Sequence, residues 1–418
     1  MAGANFAYLR NWLLTALLVI GVISVINLLV DPYRVFGIVV LDGFNSVKVR
    51  AQQRGLLSKS YTLARIKPKS VILGNSRSEV GFDPSHSAWP TDARPVYNFA
   101  LPGVGLSTHA RQLEDAFRTT QIKTVVLGLE FLDFTFDAGK LKLANDAIPT
   151  PGTAPSRGWT KRMADYVESL LSLDTLGDSI RTVLGQHNPF ATRITALGFN
   201  PLLDYIPIAR ELGYRALFNQ KDRDNARAYV RSGKDIFVPG TRDSPDFDTL
   251  RKLLARCRSE NVTLYLIIYP YHAHTMELFR AAGLWDAFEH WKRRVAQIVD
   301  EEALMSGSAQ SFPLWDFSGY NPATIEEVPA PGDLLSDMRW YWEAGHFKKE
   351  LGDLVLDKVL GHRDSQRKAL QDFGTLLTAA NVEAHLAHIR SERERYAMGH
   401  EAEVDRLNQA VEESRKKE

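Results

Sequence analysis

Three short segments of this chain carry residue types that can do chemistry together. Gly74-Asn75-Ser76-Arg77 directly follows the apolar run VIL. Asn98-Phe99-Ala100-Leu101-Pro102-Gly103 follows a second apolar run, and Trp342-Glu343-Ala344-Gly345-His346-Phe347 precedes a helical stretch over 348–360. In an open parallel sheet ligands gather at the carboxyl ends of strands, so the Ser76 hydroxyl stands where a nucleophile belongs. A helix beginning there would aim backbone N–H groups and the positive end of its dipole at a developing oxyanion. Gly103 would let a backbone N–H approach a ligand unhindered. The i, i+3 spacing of Glu343 and His346 lets a turn bring the carboxylate against one imidazole nitrogen. The other nitrogen is then free to take a proton from a serine hydroxyl. Asp337 competes with Glu343 as the orienting acid, and Asp333 is a more distant alternative. Each segment also has a bland reading, since strand-to-helix turns use small residues and a lone His often starts a helix or packs.

Several neighbours are expected to contact substrate. Arg77, beside the nucleophile, could hold an anionic group such as a uronate carboxylate. Asn98 ends its strand at the same rim. In Tyr269-Pro270-Tyr271-His272-Ala273-His274 the His-x-His admits a metal, but no acidic cluster accompanies it in sequence, so sugar or loop contacts are the expectation for His272 and no metal is expected. Trp340 and Trp342 flank the acid and base and could stack on sugar rings, although most tryptophans in such a domain fill its core.

These residues need a scaffold that brings them to one edge. Five apolar runs, at 70–76, 96–99, 124–129, 262–269 and 312–317, read as strands buried on both faces. Helix-like stretches at 107–120, 246–260 and a long 275–304 alternate with them, which predicts an α/β fold with a doubly wound parallel sheet. Between 134 and 242 the alternation breaks. Because a structureless loop of that length is improbable, this stretch reads as a mainly helical insertion, with a helix around 161–185 following the proline-rich IPTPGTAPSRG. From 363 to 418 the chain is charge-rich with apolar residues at helical spacing, the pattern of one long solvated helix able to act as an association arm.

Ahead of the domain at 70–362, residues 11–30 form an uncharged run, preceded by a short segment at 1–10 and followed by a connecting segment at 31–69. At about 1.5 Å per residue the run matches the thickness of a bilayer core, and the absence of a small-residue cleavage site after it predicts an uncleaved transmembrane anchor. Arg10 lies on one side and Arg34, Lys48 and Arg50 on the other, so flanking charge does not fix orientation. The chain has 418 residues with 51 Lys+Arg against 50 Asp+Glu, a balance that argues against a nucleic-acid coat. One cysteine excludes an intrachain disulfide framework.

A strand-end serine, a downstream N-x-x-x-x-G and a late acid-x-x-His, in that order, resemble the SGNH/GDSL hydrolase superfamily. The resemblance covers roughly 70–135 and 260–360 and implies a three-layer α/β domain. It implies Ser76 as nucleophile, the N–H groups of Ser76 and Gly103 as the oxyanion hole, His346 as general base and Glu343 in place of the family's Asp. GNS stands for GDS, and the third block, Gly128-Leu129-Glu130-Phe131-Leu132-Asp133, lacks the family's donor Asn. GNSR, VYNFAL and EAGHF are similar to the bacterial envelope branch that includes alginate O-acetylation and teichoic acid D-alanine-transfer proteins. That branch implies a polysaccharide substrate, a periplasmic domain on the inner membrane, and a membrane-bound acyltransferase and other polysaccharide synthesis proteins as partners. No segment resembles a cofactor-binding loop, so no cofactor is expected. The competing expectation is a non-catalytic glycan-binding or scaffolding component of a polysaccharide synthesis complex, which the missing donor Asn favours.

Overall fold

The computed structural model describes residues 2–136, 159–237, 243–308, 310–362 and 373–417. The chain forms two units: Met1–Ile66 with Pro155–Ala196 and Leu202–Asp204, and Lys67–Ala154 with Leu197–Pro201 and Tyr205–Glu418.

The second unit is α/β. Its main sheet contains β1 (Ser70–Leu73), β2 (Val96–Asn98), β3 (Thr124–Leu129), β4 (Thr263–Ile268), β5 (Leu314–Asp316) and β8 (Thr375–Leu376), in the order β2-β1-β3-β4-β5-β8. The first five are parallel and correspond to the five apolar runs, while β8 adds an antiparallel edge too short to announce itself in sequence. Every residue of β1 is buried, as is nearly all of β3, which explains their unbroken apolar character. The strand order turns back at β1, and a sheet of this order opens its ligand crevice at the carboxyl ends beside that switch point. A separate hairpin pairs β6 (Tyr341–Glu343) with β7 (His346–Phe347).

Three expected helices are broken. The stretch expected at 275–304 is two helices, Ala273–Ala281 and Trp285–Met305, parted at Gly283, whose φ of +79° suits glycine. The helix expected at 161–185 is likewise two, Trp159–Leu171 and Leu173–Leu184, with Ser172 capping the second. The expected single long C-terminal helix is Val382–Gly399 and Glu401–Arg415, meeting at His400. Nor is this tail a solvated arm. Leu386, Ile389, Leu407 and Val411 are buried, and Arg393 and Arg406 pair with Glu277 and Asp222 of the same unit. Its first residues, 363–372, and the proline-rich 148–158 lie outside the described residues.

The first unit holds the apolar helix Ala2–Val30, of which Asn5–Val30 is long and apolar enough to cross a membrane and is only 11% buried over its most apolar window. Residues 31–66 are more than a connector, since Asp31 accepts from the N–H groups of Val35, Phe36 and Gly37, and a helix follows at Gly55–Ile66. Helices Trp159–Leu171 and Leu173–Leu184 belong to this unit, whereas Tyr205–Leu212 and Tyr214–Arg231 belong to the other. The insertion at 134–242 is therefore mainly helical where described, with an irregular stretch at 188–204, and is shared between two units.

Candidate active site

At the end of β1 the chain turns at Gly74, whose φ is +141° and where a Cβ would run into Ser78 and Tyr269. Asn75 then caps the short helix Ser76–Gly81, its Oδ1 accepting from the Arg77 N–H at 3.0 Å. Ser76 is the first residue of that helix, and its Oγ lies 2.8 Å from Nε2 of His346. On the other side of the imidazole, Nδ1 bonds directly to the Glu343 carboxylate.

The β6–β7 hairpin creates this second contact. Its register sets Glu343 opposite His346 across the turn Ala344-Gly345, so the longer Glu side chain reaches the ring. The Gly345 N–H donates to Glu343 Oε2 at 2.6 Å. A Cβ on Gly345 would stand 2.5 Å from Lys221 Cε, 3.1 Å from Glu343 Oε2 and 3.3 Å from Lys221 Nζ, so the lysine lies along the carboxylate side of the turn. Burial pushes the Glu343 carboxyl up, but His346, Lys221 and the Gly345 N–H outweigh it and hold the group below the ordinary carboxylate range. An anionic Glu343 fixes the ring orientation and would favour the imidazolium that a proton transfer from Ser76 would create.

The loop after β2 runs beside the loop that carries Ser76, since Phe99 N–H donates to the Ile72 carbonyl (2.9 Å) and Leu101 N–H to that of Gly74 (3.0 Å). Gly103, two residues on, has a φ of +68° and open space where a Cβ would stand. Among the described residues, neither the Ser76 nor the Gly103 amide donates to a backbone carbonyl.

Other expected site residues are placed differently. Arg77 is corrected from an anion-holding group to a largely enclosed structural cation, its side chain 13% exposed: it pairs with Glu130 and lies 5.0 Å from the Tyr271 ring centre. Burial disfavours its charge, yet Glu130 and the surrounding tyrosines hold its pKa above the usual value. Asn98 is fully buried. Its amide donates to the Ser78 and Phe82 carbonyls (2.8 and 2.9 Å), and its Oδ1 accepts from Ala100, leaving nothing for substrate. His272 is also buried, capping the helix Ala273–Ala281 through Nδ1 and meeting the Glu326 carbonyl through Nε2. Trp340 and Trp342 are each 9% exposed; Trp342 packs against Tyr205 and the Lys348 ammonium, and Trp340 against Arg339. Asp337 is taken by Tyr214 and Lys348 and is not the orienting acid. Asp333 is half-buried and accepts from the Leu335 and Ser336 N–H groups.

The residue that organises the floor of the site is Glu130, which the sequence offers only as a departure from a pattern. It accepts from Asn75 Nδ2 (3.0 Å), Tyr271 Oη (3.0 Å) and Arg77. The third loop thus supplies an acceptor where the resemblance implies an oxyanion donor, and the Asn75 amide is turned away to it. Close by, burial together with Glu130 and Asp246 pushes the Asp133 carboxyl up to about 8. Lys221 was missed because nothing in its polar helical surroundings distinguishes it.

His274 gains the acids that the sequence did not show beside it. Asp222, His274 and Glu403 bring ligand atoms within 4.8 Å of one another. Each imidazole nitrogen already meets a carboxylate at 3.0 Å, and Arg406 pairs with both acids, so the cluster is held together as an ion network in which, among the described residues, only Asp222 Oδ1 lacks a hydrogen-bond partner. Comparison of the chain with protein-family models, curated proteins and solved structures gives no match.

Proposed function

We propose that this protein is a membrane-anchored serine acyl-transfer enzyme of SGNH type that acts on a cell-envelope polysaccharide or exopolysaccharide. The observation that carries the reading is the continuous relay from the Ser76 hydroxyl through both nitrogens of His346 to the buried Glu343. His346 takes the hydroxyl proton as Ser76 Oγ attacks an ester carbonyl. The oxyanion is held by the Ser76 and Gly103 N–H groups. His346 then returns the proton to the departing alkoxide, leaving an acyl-serine. A sugar hydroxyl, deprotonated by the same imidazole, takes the acyl group in an O-acetyltransferase, and water takes it in an acetylesterase.

The polymer class, the periplasmic placement on a bacterial inner membrane and supply of acyl groups by a membrane-bound acyltransferase rest on the resemblance of GNSR, VYNFAL and EAGHF to the envelope branch. The apolar span Asn5–Val30 supports the anchoring. With Glu130 in place of a third oxyanion donor, turnover of a simple ester is expected to be slower by about 10²–10³-fold than with a full hole.

The test is hydrolysis of p-nitrophenyl acetate by the full chain in detergent, alongside Ser76→Ala. The expected result is hydrolysis by the wild type that the variant loses. Equal traces would replace the enzyme with a glycan-binding or scaffolding protein.

A further inference from the structure

The first unit carries an apolar surface that the spanning helix alone does not explain. Asn27, fully buried in an otherwise apolar helix, donates to the Leu170 and Ser172 carbonyls (2.9 and 3.3 Å) and accepts from Ser179 Oγ at 3.0 Å. These bonds fix the turn between helices Trp159–Leu171 and Leu173–Leu184 against the last turn of the spanning helix. A second clamp works at the same level. Asn45 donates to the Leu29 and Val39 carbonyls (2.7 and 2.9 Å), and Lys48 Nζ closes the helix end on the Val30 carbonyl at 2.6 Å.

Both clamps hold exposed apolar side chains at that depth. Leu173 at the turn is 68% exposed, Ile38 in the clamped loop 66% and Leu184 77%, with Val40, Leu41 and Leu171 also exposed. Between the spanning helix and Leu173–Leu184 runs an apolar groove of about 290 Å³, lined by Ile26, Leu29, Phe44, Ile180, Val183 and Leu184. Asp178 of the second helix is turned inward, where it accepts from Tyr33 Oη (2.7 Å) and Arg50 Nε (2.9 Å), while Lys161, Glu168, Asp174 and Arg181 keep exposed charge on the two helices.

The geometry points to a membrane-embedded collar, in which Ile38, Val40, Leu41, Leu171, Leu173 and Leu184 insert among lipid acyl chains around the exit of the spanning helix. At about 1.5 Å per residue the 26-residue span is some 39 Å long, more than the ~30 Å hydrocarbon core, so its last turn stands at the boundary between acyl chains and headgroups. Whatever is clamped to Asn27 and Val30 stands at that boundary too. The apolar patch is continuous with the lipid-facing side of the helix, which makes lipid its occupant. Exposed Asp174 beside Leu173 limits the insertion to the headgroup boundary.

The inference depends on the helix crossing a membrane and is independent of the acyl-transfer reading. Single spin labels at Leu173→Cys, Ile38→Cys, Leu14→Cys (spanning helix) and Arg395→Cys (exposed helix face) test it in full-length protein in bilayers of phosphatidylethanolamine and phosphatidylglycerol. The native Cys257 is buried and stays in place. The expected result is an oxygen-to-nickel-chelate accessibility ratio at L173C and I38C close to that at L14C and well above that at R395C. A ratio matching R395C would overturn the collar. Immobile labels shielded from both reagents would also overturn it, showing a protein partner in place of lipid. A water-like reading at L14C would remove the spanning helix and the collar together.

Discussion

The Ser76 hydroxyl stands 2.8 Å from Nε2 of His346, 270 positions further along the chain. Two elements that each look like ordinary turns create that contact, a capped helix start after β1 and the tight β6–β7 hairpin. The same hairpin places Glu343 on the far side of the ring, so orientation of the imidazole depends on one carboxylate.

Glu343→Gln tests that dependence. The amide keeps the shape but presents a neutral partner to Nδ1, which removes the charge that stabilises the imidazolium. Ester hydrolysis is expected to fall by on the order of 10⁴-fold with the fold intact by circular dichroism. Glu343→Asp, one methylene short, is expected to lie between the wild type and the amide. The measurement is kcat/KM for p-nitrophenyl acetate.

Glu130 is predicted to matter for stability before chemistry. Glu130→Ala leaves Arg77 enclosed without its countercharge and releases Asn75 and Tyr271. Breaking one side of a buried pair costs about 3–5 kcal/mol, read as a lowered unfolding midpoint. The double variant Arg77→Met with Glu130→Gln is expected to lose less than the sum of the two single changes, since no uncompensated charge remains.

Much of this site was legible because its chemistry is local. Ser76, Glu343 and His346 each sit in a short motif at a strand end, and continuous apolar runs such as Val125–Leu129 mark buried parallel strands without help from the rest of the chain. What the sequence hid was long-range. Arg77 looks like a free cation until Glu130, 53 positions away, is folded against it. Asn98 and His272 carry the right chemistry for a cleft, but neighbouring backbone carbonyls and N–H groups consume both. The C-terminal charges read as solvated because Glu277, partner of Arg393, lies 116 residues earlier.

The C-terminal helices supply a direct check on that last point. Leu407 is fully buried, in a segment whose composition reads as a free arm. Leu407→Ala is expected to destabilise the protein by about 2–5 kcal/mol in denaturant titration, where a solvated arm would show no change.

Asp133 predicts a pH dependence. Its carboxyl is raised from 3.8 to about 8, first by burial and then by Glu130 and Asp246, so the folded chain holds this proton more tightly than the unfolded one. Its favourable contribution is complete below about pH 4 and is lost as pH rises through 8. Asp133→Asn removes that slope. Its gain in Tm over the wild type is expected to be small at pH 4 and largest at pH 9.

The most direct measurement is covalent. Full-length protein treated with a fluorophosphonate, digested and read by mass spectrometry should carry the adduct on Ser76, with labelling slowed in His346→Ala and absent from Ser76→Ala. An unlabelled Ser76 in folded wild-type protein, or labelling unaffected by loss of His346, would contradict a nucleophile activated by this relay.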